Sequence, residues 1–320
     1  MTFRTARFVG GRVTGMVVTL LLTSFVIFAS LYAAPGKPES FLLQGRSATP
    51  QTLAAIRDQY HLDQPFVDQF RLWFAGVVQG DFGRSIQFRQ DVGGLIASRL
   101  PTTLLLVVLA TGLMLVLGLL LGTLSALRPG AVDKTVLFGS TLAVATPTFL
   151  LAMVLIGAFG VQLGWFPTFG NGEGLADRLH HLTLPSLALA APLIGLVARV
   201  TRASMLSELA REHVDVARAR GIPERLVVWR HALKGALPSV LTLSGTIVAG
   251  LFVGSAVIET AFGLSGVGQL LVQSVSTKDF PVVQAICLLL VAAFVLTNVL
   301  VDVLLPLIDP RISVRSGRGA

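Results

Sequence analysis

Few side chains in this sequence could carry out chemistry, and their spacing does not bring them together. The single cysteine, Cys287, lies in an apolar run and has no second cysteine for an intrachain disulfide. The chain has no GxxxxGKS/T, HExxH, GxSxG or CxxC pattern. We therefore predict no catalytic residue, no metal site and no cofactor bound by this chain itself. The histidines show no metal-ligand spacing with other donors: His61, His180, His181, His213 and His231.

The elements that hold these residues are predicted to be membrane-spanning helices. Of 320 residues, 53% are hydrophobic and 13% charged, whereas a soluble domain has about 25% charged residues. The net charge of +8 does not indicate nucleic-acid binding, because the Lys and Arg residues lie between long uncharged runs and form no single patch. We predict an all-α integral membrane protein, in contact with lipid, with six transmembrane helices. Six stretches lack Asp, Glu, Lys and Arg, and most exceed the roughly 20 residues that cross a bilayer: 13–36, 101–127, 135–172, 182–198, 235–258 and 280–301.

Prolines and flanking polar residues modify two of these spans. Pro147 should kink the third span, because proline cannot complete the helical hydrogen bonds. The fourth stretch has only 17 uncharged residues and contains Pro185 and Pro192. We expect it to be completed by His181 at one end and by Arg199 at the other, with the arginine reaching back to the membrane surface.

Two polar residues lie in the last span. Asn298 and Asp302 are candidate intramembrane polar sites, since an ionisable residue inside a span is a functional candidate. Asp302 is only nine residues before Arg311, so at about 1.5 Å per residue it should lie near the headgroups. A surface or helix-pairing role is therefore favoured over ligand contact.

The basic residues predict the orientation of the chain. With six spans, the segments 1–12, 128–134, 199–234 and 309–320 share one side and hold 16 of the 25 Lys and Arg residues. The segments on the other side are longer in total and hold nine. By the positive-inside rule, both termini and the loop that begins at Arg199 are expected in the cytoplasm.

The long outer segment is predicted to form a small helical cap. Thr49-Pro50 indicates one helix start, and Asp63-Gln64-Pro65 indicates a second, followed by aromatic residues at helical spacing. Gly80 should close the second helix, and Asp81-Phe82-Gly83 should form a turn. Packing on the outer helix ends is favoured over direct ligand contact.

The large cytoplasmic loop is predicted to be helix, sharp turn, helix. No helix breaker occurs between Ala203 and Arg220, so a single helix is expected there. Its apolar residues recur at spacings that approximate one helix face: Met205, Leu209, Val216 and Ala217. Glycine should end it, and a proline suits the first turn of the next helix, which contains the stretch 226–233. An amphipathic connector resting on anionic lipid would have the same periodicity, so both interpretations stay open on this pattern alone.

The residues of this loop resemble a known motif. The stretch from Glu212 to Arg225, followed by that from Trp229 to Pro238, resembles the EAA loop of ABC importer permeases, and in particular of their dipeptide and oligopeptide branch. Residues 215–217 take the place of Glu-Ala-Ala, with Asp for Glu, and Gly221 takes the place of the motif glycine. Further segments similar to this branch extend the resemblance over nearly the whole chain: 62–65, 80–85, 164–167, 262–268 and 309–311.

The resemblance implies a type I ABC importer permease fold with a small helical extracytoplasmic segment between helices 1 and 2. It also implies a homologous second permease, two ATPase subunits that bind ATP and Mg²⁺, an extracytoplasmic substrate-binding protein, and a place in a bacterial inner membrane. In such importers the helix of the EAA loop inserts into a groove on the ATPase. The expected ATPase-coupling residues are Asp215, Val216, Ala217, Arg218, Ala219, Arg220, Gly221, Ile222 and Pro223.

We expect four regions along the chain. Residues 1–36 form the N-terminal tail and first span, 37–100 the extracytoplasmic segment, 101–308 the permease core with the EAA loop at 199–237, and 309–320 a cytoplasmic tail. The resemblance favours short peptides as substrate, although related systems carry nickel, glutathione or haem. A self-sufficient secondary transporter or channel should show inverted repeats or more intramembrane charge, and a membrane enzyme needs a catalytic constellation; neither pattern is visible.

Overall fold

The computed structural model describes residues 3–33, 49–59 and 62–308, with the side chains of the last helix described up to Leu300. These residues are almost entirely helical, and the one β-bridge among them joins Arg84 to Asp91. The helices are α1 Phe3–Ala33, α2 Pro50–Gln59, α3 Phe66–Gln79, α4 Val92–Leu127, α5 Ala131–Ala145, α6 Thr148–Gln162, α7 Gly174–Leu209, α8 Glu212–Ala219, α9 Glu224–Ala261, α10 Val267–Ser276 and α11 Phe280–Ile308.

Five helices in this described part are long and apolar enough to cross a membrane. They are α1, α4, α7, α9 and α11. The pair α5 and α6 adds a sixth span if it is counted as one broken span. The predicted all-α architecture is therefore confirmed, with the third span as the exception to continuous helix.

That third span is bent by 108° where α5 meets α6. Thr146 ends α5 in an extended conformation, with ψ of 123°, and Pro147 precedes α6. A residue before proline avoids the helical region, and proline lacks the N–H that would continue the hydrogen-bond ladder. The predicted kink at Pro147 is thus correct, and the bend there is large enough to divide the stretch 135–172 into two helices.

Helix α7 is longer than the predicted fourth span. It runs unbroken for 36 residues through both Pro185 and Pro192. An interior proline costs about 3 kcal/mol or more, so packing must compensate. Most of the apolar side chains along its central part are buried, including Leu182, Leu189 and Val197. Burial on several sides explains why two prolines do not end this helix.

One compact unit of the chain comprises residues 1–103 and 265–296. The outer helix α3 begins after Pro65 and ends at Gly80, whose φ is +84°, as the sequence predicts. The carboxylate of Asp279 is buried in this unit. It accepts hydrogen bonds from the hydroxyl of Ser85 and from the backbone N–H of Gln87, the latter at 3.1 Å. Aromatic side chains join α1 to α3: Phe25, Phe28, Tyr32, Phe66, Phe70 and Trp73.

The other unit comprises residues 104–264 and 297–320. Its core lies around α7, which packs against α5, α6 and α9. Gly195 lets α5 approach closely, since a Cβ at this position would lie 2.8 Å from the carbonyl oxygen of Ser140. Small residues permit this kind of close helix packing in membranes. At the end of α7 this unit carries the loop that the sequence singles out.

Candidate functional site

The loop of residues 210–223 between α7 and α9, called the α7–α9 loop below, turns at a glycine. Gly221 has φ of +77°, in the left-handed region that glycine enters at little cost. Its N–H donates to the carbonyl of Arg218 at 2.9 Å, and the N–H of Ile222 donates to the carbonyl of Ala217 at 3.2 Å. These two bonds make a Schellman motif, which satisfies the last carbonyls of α8. Pro223 then precedes the first turn of α9. The predicted turn is present at the predicted residue.

The inner face of the loop is a small apolar cluster. Val214 and Val227 are fully buried and Ala217 is 4% exposed, with Leu209 and Ile222 packed against them. The contact of Ile222 with this cluster is the apolar contact that often accompanies a Schellman motif. Side chains on both sides of the turn thus fix how α8 is presented.

The outer face of the loop carries the other predicted coupling residues. Asp215, Val216, Arg218, Ala219 and Arg220 are all exposed. Between residues 212 and 233, three large apolar side chains remain uncovered: Val216 at 49% exposure, Leu226 at 49% and Trp229 at 62%.

An ion pair connects the two helices across the turn. The guanidinium of Arg218 donates to Glu224 through Nε at 3.2 Å and through Nη2 at 2.7 Å, and Asp215 lies 3.8 Å from Nη1. The bond to Glu224, together with these two carboxylates, raises the pKa of Arg218 above its usual value. Because these groups are exposed, we assign the pair to orientation of α9 against α8 and not to stability.

The structure corrects the sequence prediction in front of the turn. A single helix over Ala203–Arg220 was expected, but α7 ends at Leu209 and Arg211 is extended, with ψ of 144°. The break shifts the helical phase, so Val214 and not Val216 lies on the buried face. No breaker residue signals this break. It lets Val214 and Ala217 reach Val227, and this burial outweighs the lost helical bonds.

A buried acid holds the start of the loop. Glu208 is 7% exposed and its Oε1 lies 3.1 Å from Nη2 of Arg211. It packs against α9 at Gly235, where a Cβ would lie 2.5 Å from Oε2 of Glu208. Sequence reasoning missed both residues. A glycine directly after the basic cluster of the loop was the available signal.

Comparison with family models identifies the protein family to which this chain belongs. Residues 114–314 match the model of the binding-protein-dependent transport system inner membrane component, and residues 5–107 match the model of the N-terminal part of such membrane components. The chain belongs to this family of transport permeases. The match covers α5 to α9, and therefore the whole α7–α9 loop.

Relatives of similar length support the assignment of this permease. A Brucella abortus protein is 39% identical over 305 residues, which cover 94% of this chain and 97% of that protein. Its name provisionally describes it as the permease of a peptide transport system. The glutathione transport system permease protein GsiC of Escherichia coli strain K12 is 38% identical over 302 residues, with the same coverage. The permease is therefore a multi-pass membrane component of a bacterial ABC importer, with relatives of peptide and glutathione type.

Solved structures show the same fold at lower identity. The inward-facing MetNI methionine ABC transporter matches with a TM-score of 0.55 and 20% identity over 67% of this chain and 96% of its own. An amino acid ABC transporter crystallised with histidines matches with a TM-score of 0.50 and 18% identity over 68% and 94%. The predicted type I permease fold is confirmed.

The two predicted intramembrane polar residues belong to α11. Asn298 is half-buried in α11, and the side chain of Asp302 lies outside the described residues. The rings of His213 and His231 lie 6.1 Å apart on the permease, but no group of three or more metal-ligating side chains occurs among the residues that the structure describes.

Proposed function

We propose that this permease forms half of a translocation path for short peptides and that the α7–α9 loop couples it to ATPase subunits. The observation that supports the coupling role is the uncovered trio of Val216, Leu226 and Trp229 beside the Gly221 turn. Aromatic and aliphatic side chains on a fixed backbone are typical of the core of a protein interface. A connector resting on lipid would expose the same three side chains but would bind no ATPase subunit, so an association assay separates the two interpretations.

The assembly in this proposal has three further kinds of subunit. A homologous second permease completes the path, two ATPase subunits bind ATP and Mg²⁺, and an extracytoplasmic binding protein delivers the substrate. This chain binds no cofactor. Both termini and the loop lie in the cytoplasm of a bacterial cell with the permease in its inner membrane, which is the orientation that the excess of Lys and Arg favours.

The substrate part of the proposal follows the relatives. One is named for peptide transport and another for glutathione, which is itself a tripeptide. Glutathione is short and bears carboxylates, so we take short, carboxylate-bearing peptides as the proposed substrate class. Ligand identification by mass spectrometry on the partner binding protein, purified with what it carries, tests this assignment directly.

The coupling role is tested by reconstitution. The isolated chain in proteoliposomes should hydrolyse no ATP, and the complete complex with its binding protein should take up trialanine or glutathione only with ATP. Trp229→Ala should weaken ATPase association. The control is Leu175→Ala, which truncates an apolar side chain of similar exposure in the first turn of α7, far from the loop at its other end, and should leave association unchanged. ATP turnover by the isolated chain, or equal association of both variants, would refute the coupling role.

A further inference from the structure

Arg199 lies on α7, and its side chain contacts α5. Its Nη2 donates to Oγ1 of Thr141 at 3.2 Å. Three residues later, Arg202 pairs with Asp133 at 2.6 Å near the start of α5. Thr141 is eight residues further along α5, about 12 Å. Helical side chains lean towards the helix N-terminus, so the guanidinium of Arg199 points along α7 away from the pair of Arg202 and Asp133. That Arg199 reaches the membrane surface stays a prediction.

The position of Arg199 is set by the packing of two helices. Gly195 lies one turn before it on the same face of α7, and the carbonyl of Ser140 occupies the space that a side chain at Gly195 would need. This contact brings Thr141, the next residue on α5, within reach of the guanidinium. Thr141 also donates its own hydroxyl hydrogen to the carbonyl of Leu137 at 2.8 Å, which leaves its oxygen free to accept from Arg199.

The guanidinium of Arg199 retains unused donors. Arginine has five N–H donors in a planar fork. One is used on Thr141, and Nε is buried without a hydrogen-bond partner. No carboxylate of the described residues forms an ion pair with it. The side chain is half-buried, and Thr141 beside it is exposed. A guanidinium with unused donors is stabilised by an acceptor on its open side, which water, another chain or a ligand can supply.

We propose that Arg199 and Thr141 form an anion-binding position on the translocation path, which takes a carboxylate of the passing substrate. The proposal rests on the proposed function, because a short peptide supplies that carboxylate. A planar fork matches a carboxylate in a two-point contact. A single arginine that is partly open to water binds such a group weakly, which suits a position that must also release it.

The test uses a thiol beside the arginine in the assembled complex. After Cys287→Ser, Thr141→Cys is treated with small membrane-impermeant methanethiosulfonates, one carrying a negative and one a positive charge. The anionic reagent should react about tenfold faster, since a cation within a few ångströms attracts one reagent and repels the other. Adding Arg199→Gln should remove the preference. Adding Arg128→Gln, which removes an exposed charge just after α4, should leave it unchanged.

Substrate protection is the second measurement. Trialanine or glutathione, delivered by the binding protein during turnover, should slow labelling of Thr141→Cys several-fold. A thiol that reacts with neither reagent faces lipid or protein, and a thiol without charge preference has no anion site beside it; either result overturns the proposal. So does unprotected labelling in a complex that transports the probe. If the complex transports neither probe, the peptide assignment fails, while the charge preference still decides for or against an anion position.

Discussion

Replacing Gly221 tests the loop at its most constrained backbone position. Its φ of +77° is strained for residues with a side chain, while a Cβ placed there meets no atom within 4 Å. A substitution therefore costs backbone conformation and causes no clash. That cost is about 1 to 2 kcal/mol for an ordinary residue and more for a β-branched one. For Gly221→Val we expect the native turn to lose a factor of at least about 5 to 30 in population.

The loss should appear in coupling and not in membrane insertion. Without the turn, the bonds that end α8 at Arg218 and Ala217 are lost, and one helical turn of misplacement moves contacts by about 5.4 Å. The loop lies outside the apolar spans, so the variant should reach the membrane in near-normal amount. ATPase subunits should then co-purify less, or hydrolyse ATP without uptake of substrate.

The assay compares ATPase rate and uptake on the same reconstituted complexes for two variants. Gly221→Asn is the matched control, because asparagine tolerates the left-handed region far better than valine. Near-normal coupling in the asparagine variant with loss in the valine variant assigns the effect to the backbone. Equal loss in both would mean that any side chain at this exposed position obstructs a partner, and wild-type coupling in both would refute the docking role.

Two further predictions separate folding from docking and test the orientation. Ala217→Arg places a charge at a 4% exposed position, so it should lower the thermal stability of the purified permease. Val216→Arg on the exposed face should leave the thermal stability unchanged and weaken only ATPase association. Equal melting temperatures of the two variants would contradict the buried cluster. In the Cys287→Ser background, Ser207→Cys should react with an impermeant thiol reagent only from the cytoplasm, and Ala176→Cys only from outside. Both positions are exposed and lie 31 residues apart on one helix, about 46 Å. Labelling of both from one side would contradict α7 as a span.

The turn of the loop could be predicted because its cause is local. Glycine enters the left-handed region at little cost, and proline after it suits a helix start, whatever surrounds them. The same holds for Gly80 at the end of α3 and for the break at Pro147. Each depends on the conformational limits of one or two residues.

The break at Ala210 and the burial of Val214 could not be predicted. The sequence there continues a good helix, and the break is set by contacts with Val227, which lies after the turn. The contact of Arg199 with Thr141 could not be predicted for a similar reason, because Thr141 lies 58 residues earlier in the chain.

Apolar length and residue-specific backbone limits act locally, so the membrane location, the approximate position of most spans and the motif in the loop could be read from the sequence. Which helix faces are covered depends on tertiary contacts. Spans such as α4 and α11 are apolar all round, so periodicity does not distinguish a face against lipid from a face against protein. Contacts between distant segments made that choice: Gly195 on Ser140, Ala217 on Val227, and Arg199 on Thr141.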